Sequence, residues 1–200
     1  MIILIPCKRL SAGKSRLSPC LNDKERQTLC ESLLARTVEL AAGFVGPDLI
    51  RVITADPDAI AIATRYLVST IPDPTSELNS ALEHARSRLA LEGLSNRSLM
   101  VLPIDLPFAT RASLTAAGDN PADIVIAADE SGTGTNLLLL RGGAWEFPFR
   151  FGPDSYSQHV SQAQLSGLTF VSLADWRLAR DIDSPDQYFA WRGRQFPHRE

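Results

Sequence analysis

The stretch Leu49–Ile71, LIRVITADPDAIAIATRYLVSTI, decides the fold class. An apolar run, Leu49–Thr54, gives way to a proline-opened segment, Pro57–Arg65, and then to a second short run, Tyr66–Ile71. Short apolar runs bounded by turn formers fit strands covered on both faces. The middle segment predicts a helix with proline at its first position, where a missing N–H is harmless. Strand, helix and strand make a βαβ unit, and such units build parallel sheets.

The same alternation runs outward. Ile2–Ile5 is an apolar run closed by Pro6, and Asn22–Phe44 carries Leu29, Leu33, Leu34, Val38, Leu40 and Ala41 on a helical period. Asn22, with Glu25 three residues on, predicts a capping box. Downstream, Glu77–Glu92 predicts an amphipathic helix closed by Gly93, and Leu99–Leu102 and Ile124–Ala127 predict strands. The expectation is an α/β fold with a mostly parallel central sheet. Beyond residue 128 the alternation weakens, leaving a strand at Leu137–Leu140, a helix at Ser155–Leu165, a strand at Leu168–Ser172 and a last turn around Asp181–Phe189. A chain of 200 residues suits one domain. We divide it into a regularly alternating part (1–128), an elaboration of the same sheet (129–186) and a tail (187–200) in which Tyr188, Phe189, Trp191 and Phe196 pack.

With 20 Lys and Arg against 23 Asp and Glu, the net charge is −3, so no bulk field favours nucleic acid or an anionic membrane. Phosphate recognition must come from local placement. The first apolar run is short and its basic residues follow it, the reverse of a signal peptide and too little for a membrane span. A cytoplasmic protein is expected. Cys7, Cys20 and Cys30 form no CxxC or Cys/His cluster, which predicts free thiols. Nothing in the composition sets an oligomeric state.

In a parallel sheet, ligands collect at the carboxyl ends of the strands. Directly after the first strand stands Pro6-Cys7-Lys8-Arg9-Leu10-Ser11-Ala12-Gly13-Lys14-Ser15-Arg16-Leu17. Its small residues let backbone N–H groups approach an anion, and Lys8, Lys14 and Arg16 supply positive charge. It lacks the spacing of a Walker loop or of GxGxxG. Asp105, in Asp105-Leu106-Pro107 after a buried strand, is placed to hold Mg²⁺. Asp181-Ile182-Asp183-Ser184-Pro185-Asp186 predicts a helix capped by Ser184 with Pro185 next, yet capping leaves the two preceding acids unexplained. Gly132-Thr133-Gly134-Thr135-Asn136 and Phe151-Gly152-Pro153-Asp154-Ser155 offer backbone N–H groups and hydroxyls, the second at a helix start. Of the three histidines, only His159 follows an anion loop, and no triad is formed. Together these clusters suit metal-assisted attack of a phosphorylated acceptor on a nucleoside triphosphate.

In order and over nearly the whole chain, these clusters resemble the guanylyltransferases that make the activated side-chain precursor of the deazaflavin coenzyme F-420. The resemblance rests on Pro6–Leu17, Leu78-Asn79-Ser80-Ala81-Leu82, Asp105–Pro107, Gly132–Asn136, Phe151–His159 and Asp181–Asp186. It implies a single-domain Rossmann-like, GT-A-like nucleotidyltransferase that joins GMP from GTP to 2-phospho-L-lactate, phosphoenolpyruvate or 3-phospho-D-glycerate and releases pyrophosphate. It implies that Lys8, Gly13, Lys14, Ser15 and Arg16 hold the GTP phosphates and that Asn79 lies along the nucleoside. Asp105 and one of Asp181 and Asp183, preferably Asp183, would bind Mg²⁺, and Thr135, Gly152 and Ser155 would cradle the acceptor. The chain departs from the family pattern at Glu77 and Asp154, where glycine is common. A cytidylyl- or other nucleotidyltransferase of the same fold, and a non-catalytic nucleotide-binding module, are the alternatives left open by the sequence.

Overall fold

The computed structural model describes residues 1–75 and 77–195. The strands are β1 (Ile2–Pro6), β2 (Ile50–Ile53), β3 (Ser69–Ile71), β4 (Leu99–Val101), β5 (Ile124–Ala128), β6 (Thr135–Leu140) and β7 (Phe170–Ser172). The helices are α1 (Asp23–Val45), α2 (Pro57–Arg65), α3 (Leu78–Leu91), α4 (Arg111–Gly118), α5 (Ser155–Leu165), α6 (Trp176–Ala179) and α7 (Pro185–Gln195). All the strands join one sheet in the order β3-β2-β1-β4-β6-β5-β7. Every pairing is parallel except those of β6 with β4 and β5. The α/β fold expected from the alternation is therefore present. β6 reverses because only the short turn after β5 separates the two strands, too little chain for a crossover helix.

Period-two alternation along the strands splits the core into two layers. Ile3 and Ile5 of β1 face α1, α2 and α4, packing with Leu34, Val38, Ile62 and Leu114. Ile2 and Leu4 face the other way, onto Leu82 and Leu89 of α3 and onto Phe147 and Phe149. A smaller cluster joins Leu17, Leu21, Leu29, Leu33, Ile182 and Tyr188, and fastens α7 to α1 and to the loop after β1.

The structure corrects the sequence reading in four places. α4 has a single large apolar residue, Leu114, so it lacks a readable stripe; Thr110 caps it instead, accepting from Ser113 N. One-turn α6 was likewise absent from the pattern. β3 starts at Ser69 rather than Tyr66, because Leu67 adopts φ 59° in the left-handed region and breaks the extended run. The last turn is a full helix, α7, crossing the division drawn at 186/187. Ser184 Oγ accepts from Gln187 N while Gln187 Oε1 accepts from Ser184 N, a capping box that bears out Ser184 as cap. Tyr188 and Trp191 then pack inward as expected, whereas Phe189 is half exposed. Phe196 and His198 lie outside the described residues. Among the described residues no helix is long and apolar enough to cross a membrane.

Candidate active site

In sequence β1 leads to β2 on one side, while β4 lies on its other side. The loops after β1 and β4 thus diverge at a topological switch point, where open α/β sheets place ligands. The loop after β1 makes two 3-10 turns, Leu10–Ala12 and Ser15–Leu17, anchored by buried Leu10 and Leu17. Leu10 N donates to Asp56 Oδ2 at 2.9 Å, tying the loop to the start of α2. Between the turns, Gly13 passes so close to α1 that a Cβ would lie 2.7 Å from Cys30 Sγ. Lys14 follows with φ 52° and ψ 39°, a left-handed kink that turns its side chain inward.

Lys14 Nζ lies 3.0 Å from Asp105 Oδ2 and 2.7 Å from Asp183 Oδ1, with its side chain 8% exposed. Asp105 sits in the loop after β4, which Arg36 steadies by donating to Ala109 O at 2.7 Å. Ile182, fully buried, donates its N–H to Asp105 O, so the acids on either side of it are held at the same place. Gln187 completes the frame: Nε2 donates to Asp181 Oδ1, and Oε1 accepts from the N–H groups of Asp183 and Ser184, each at 2.8 Å. Arg16 stands outside, largely exposed, with Nη1 3.6 Å from Asp183 Oδ2.

Burial lowers the Lys14 pKa, but the carboxylates of Asp105 and Asp183 outweigh it and the ammonium is held above its ordinary range. Asp181 is pushed up to about 6 by burial first, then by the charges of Asp105 and Asp183, against the pull of Lys14. Ligand atoms of Asp105, Asp181 and Asp183 lie within 4.8 Å of one another. A hard, all-oxygen donor set with more negative charge than one lysine neutralises fits a divalent cation such as Mg²⁺. Asp183 was expected in that set; Asp181 joins it. Asp181 and Asp183 border a cavity of about 370 Å³ lined also by Arg16, Asp129, Glu130 and Gln187. A larger cleft of about 470 Å³, between α1 and α7, contains none of these acids.

The other predicted residues lie differently. Thr135 and Ser155 are buried, and Thr135 N donates to Ser155 Oγ at 2.8 Å. His159 Nε2 accepts from Arg150 N at 3.0 Å, which leaves the ring proton on Nδ1 to be donated to Thr135 Oγ1 at 2.9 Å. Burial, aided by the charge of Arg150, pushes the His159 pKa down to about 4, so the ring is neutral near pH 7. These hydroxyls and this imidazole face inward, joining β6 to the loop before α5. Gly152, exposed at φ 127°, forms the turn of that loop. Early N–H groups of α5 are taken, Tyr156 N by Thr133 O and Ser155 N by Gly152 O. Asn79 exchanges two hydrogen bonds with the Phe151 backbone, Nδ2 to O at 2.9 Å and N to Oδ1 at 2.8 Å, and thereby clamps this loop to α3. Lys8 and Ser15 are exposed.

Both departures from the family pattern acquire a physical reading. Glu77 caps α3 through Asn79 N and Ser80 N, and these bonds, led by those from Ser80, hold its carboxyl below the usual range. Asp154 takes φ 54°, a left-handed conformation that glycine adopts most easily. Sequence reasoning missed Asp56, Arg36 and Gln187. Asp56 carried a signal as the residue before a proline-opened helix, but its reach to Leu10 is tertiary. Asn136 closes the Gly132–Asn136 motif, and its amide is buried and donates to Leu178 O at 2.9 Å.

The mostly parallel sheet is shared with solved nucleotidyltransferases. A nucleotidyl transferase from Methanothermobacter thermautotrophicus superposes with a TM-score of 0.67 at 12% identity, covering 98% of each chain. CMP:2-keto-3-deoxy-manno-octonic acid synthetase, solved with CTP, gives 0.63 at 12% identity, again covering 98% of each chain. The chain belongs to the guanylyl transferase CofC-like family, which matches residues 1–189. It is 37% identical over 191 residues to a phosphoenolpyruvate guanylyltransferase of Chloroflexus aggregans, covering 92% of this chain and 93% of that protein. It is 31% identical over 186 residues to a 2-phospho-L-lactate guanylyltransferase of Methanothermobacter thermautotrophicus, covering 92% and 80%. The protein is an enzyme of the nucleotidyltransferase class.

Proposed function

We propose that this enzyme transfers GMP from GTP to a three-carbon phosphorylated acid, phosphoenolpyruvate or 2-phospho-L-lactate, releases pyrophosphate and serves coenzyme F-420 biosynthesis. The observation that carries this reading is the convergence of Lys14, Asp105, Asp181 and Asp183 at the switch point of a chain in this family. 3-Phospho-D-glycerate presents the same phosphate and carboxylate and is a further candidate acceptor.

The acceptor phosphate is the nucleophile. Its second ionisation lies near pH 6, so it is anionic at neutral pH and needs no general base. An oxygen of that phosphate forms a bond to the α-phosphorus of GTP as the bond to the pyrophosphate oxygen breaks. Asp105, Asp183 and Asp181 would hold Mg²⁺, which supplies charge neutralisation and orientation of phosphate oxygens. Lys14 holds two of those carboxylates in place, and Arg16 and Lys8 meet triphosphate charge from the exposed side of the loop, with Gly13 and Ser15 giving backbone approach. Asn79 would lie along the nucleoside while its side chain clamps the Phe151 loop to α3, and Thr135 and Ser155 support the Gly152 turn of that same loop on the acceptor side.

The test is pyrophosphate release with each nucleoside triphosphate, Mg²⁺ and each acceptor in turn. Release with GTP and phosphoenolpyruvate or 2-phospho-L-lactate, lost in Asp105→Asn, is expected. Release with CTP alone, or equal turnover by the Asp105 variant, sinks the assignment.

A further inference from the structure

Gln187 stands in the first turn of α7, and the two atoms of its amide serve different groups. Oε1 accepts from Asp183 N and Ser184 N at 2.8 Å each, while Gln187 N donates to Ser184 Oγ at 3.3 Å. That half is a capping box, and a glutamate would serve it equally. The cap makes no use of Nε2. This atom donates instead to Asp181 Oδ1 at 2.8 Å, six residues back along the chain. A glutamate would set a second carboxylate against Asp181 there, so the neutral amide is the group that both caps the helix and meets the acid. Lys14 gives its bonds to Asp105 and Asp183, and among the described residues the side chain that donates to Asp181 is Gln187.

The donor is rigidly mounted. Tyr188, the next residue, is buried in the cluster with Leu17 and Ile182, and its N–H donates to Ser184 O at 2.9 Å. Asp181 is half-buried beside two acids of like charge, which repel it. A bond to one oxygen fixes the rotation of the whole carboxylate, which is how a group behind a metal ligand orients it.

We propose that Gln187 is a positioning residue for the divalent cation: its amide N–H holds Asp181 turned toward Asp105 and Asp183, so that the three carboxylates meet the ion together. This rests on the Mg²⁺ role in the guanylyl-transfer reading above and adds the residue that stands behind the acids.

The test titrates Mn²⁺ alone, which shares the octahedral oxygen preference of Mg²⁺, into the full chain and follows free Mn²⁺ by electron paramagnetic resonance. Gln187→Ala should raise the Mn²⁺ Kd on the order of tenfold or more. Ser184→Ala cuts the other half of the same capping box without touching Asp181. It should lower Tm by about 2–4 °C, as Gln187→Ala also does, yet leave the Kd within about twofold. In turnover the Mg²⁺ concentration for half-maximal rate should rise in Gln187→Ala by the same factor as the Kd, with kcat at saturating Mg²⁺ close to wild type. A cycle with Asp181→Ala decides the route, because in that background Gln187→Ala should change the Kd by less than about twofold. Equal Kd shifts in Gln187→Ala and Ser184→Ala, no shift in Gln187→Ala, or an undiminished shift beside Asp181→Ala overturn the proposal, as does a wild type that binds no Mn²⁺. Gln187→Met, of similar length, replaces Gln187→Ala should that variant not fold, with the same expectations. A wild type that binds Mn²⁺ but releases no pyrophosphate defeats the guanylyl-transfer reading alone, and the Kd values still decide the role of Gln187.

Discussion

Two groups of polar residues occupy the carboxyl end of this sheet, and in the sequence they look equally functional. One joins Lys14 to Asp105, Asp181 and Asp183. The other joins Thr135, Ser155 and His159. The first leaves negative charge in excess of its lysine and faces a cavity; the second pairs its donors and acceptors internally, with His159 fully buried. Surplus charge is a capacity to bind, whereas a satisfied buried network confers rigidity. Substitutions in the first group should therefore cut turnover more than stability, and those in the second stability more than turnover.

The sharpest way to break this contrast is Lys14→Met. It leaves Asp105 and Asp183 facing each other and Asp181 without the counter-charge between them. Turnover should fall by at least 10²–10³, on the order of losing one preorganised electrostatic group. Stability should fall by about 3 kcal/mol, the low end for an orphaned pair because both acids are partly hydrated. Steady-state kinetics and urea unfolding measure the two. If turnover survives while stability collapses, the first group is structural like the second. Mg²⁺ gives a companion measurement: it should raise the wild-type Tm, and raise it much less in Asp105→Asn.

His159→Ala probes the other side. It removes the acceptor for Arg150 N and the donor to Thr135 and opens a cavity beside Phe147 and Phe151, at a cost of about 3 kcal/mol. Turnover of the folded enzyme should change far less than in Lys14→Met. The pH dependence follows in sign. The unfolded imidazole takes a proton near its ordinary 6.5, while the folded one stays neutral until about 4, so the unfolded state binds more protons in that window. Stability should fall as pH drops from 6.5 to 4, and the fall should flatten in His159→Ala. An unaltered profile would remove His159 as its source.

Asn79 links the two sides by clamping the Phe151 loop to α3. Asn79→Ala should cost about 2 kcal/mol for two hydrogen bonds to a buried backbone segment, and Asn79→Asp about half, since it keeps the acceptor for Phe151 N and loses the donor to Phe151 O. Thermal unfolding distinguishes them. Equal losses would show that the bond from Phe151 N adds nothing, and a negligible loss in Asn79→Asp would show that the Phe151 carbonyl finds water instead.

The contrast also explains what was legible in the sequence. The βαβ alternation, the Asn22 capping box and the proline start of α2 are local devices, and they stand where the pattern put them. Asp105 was legible because it follows a buried strand, and Asp183 because capping by Ser184 leaves the two preceding acids without a structural use. Asp183 was preferred to Asp181, and only the buried Ile182 between them shows that both face one point. The inward direction of the Thr135 and Ser155 hydroxyls was invisible, because a small polar residue after a strand suits a ligand or a buried network equally. α4 and the full length of α7 depend on capping and tertiary packing, which periodicity does not record.

The smallest effect concerns the boundary between loop and core. In Gly13→Ala the new methyl would meet Cys30 Sγ at 2.7 Å, closer than packed atoms tolerate. The sulfur sits on α1 with room to yield only by moving against the core, so a loss of about 1 kcal/mol is expected, at the mild end of overpacking. Lys14 is the next residue, so the same displacement should move its ammonium relative to Asp105 and Asp183 and lower turnover modestly. Cys30→Ala removes the obstructing atom, and the double variant should recover both stability and turnover relative to Gly13→Ala. A double-mutant cycle measures that coupling. Coupling in stability alone would mean that the first loop absorbs the shift before it reaches Lys14, and that the open charged group is less rigidly built on the core than the closed one.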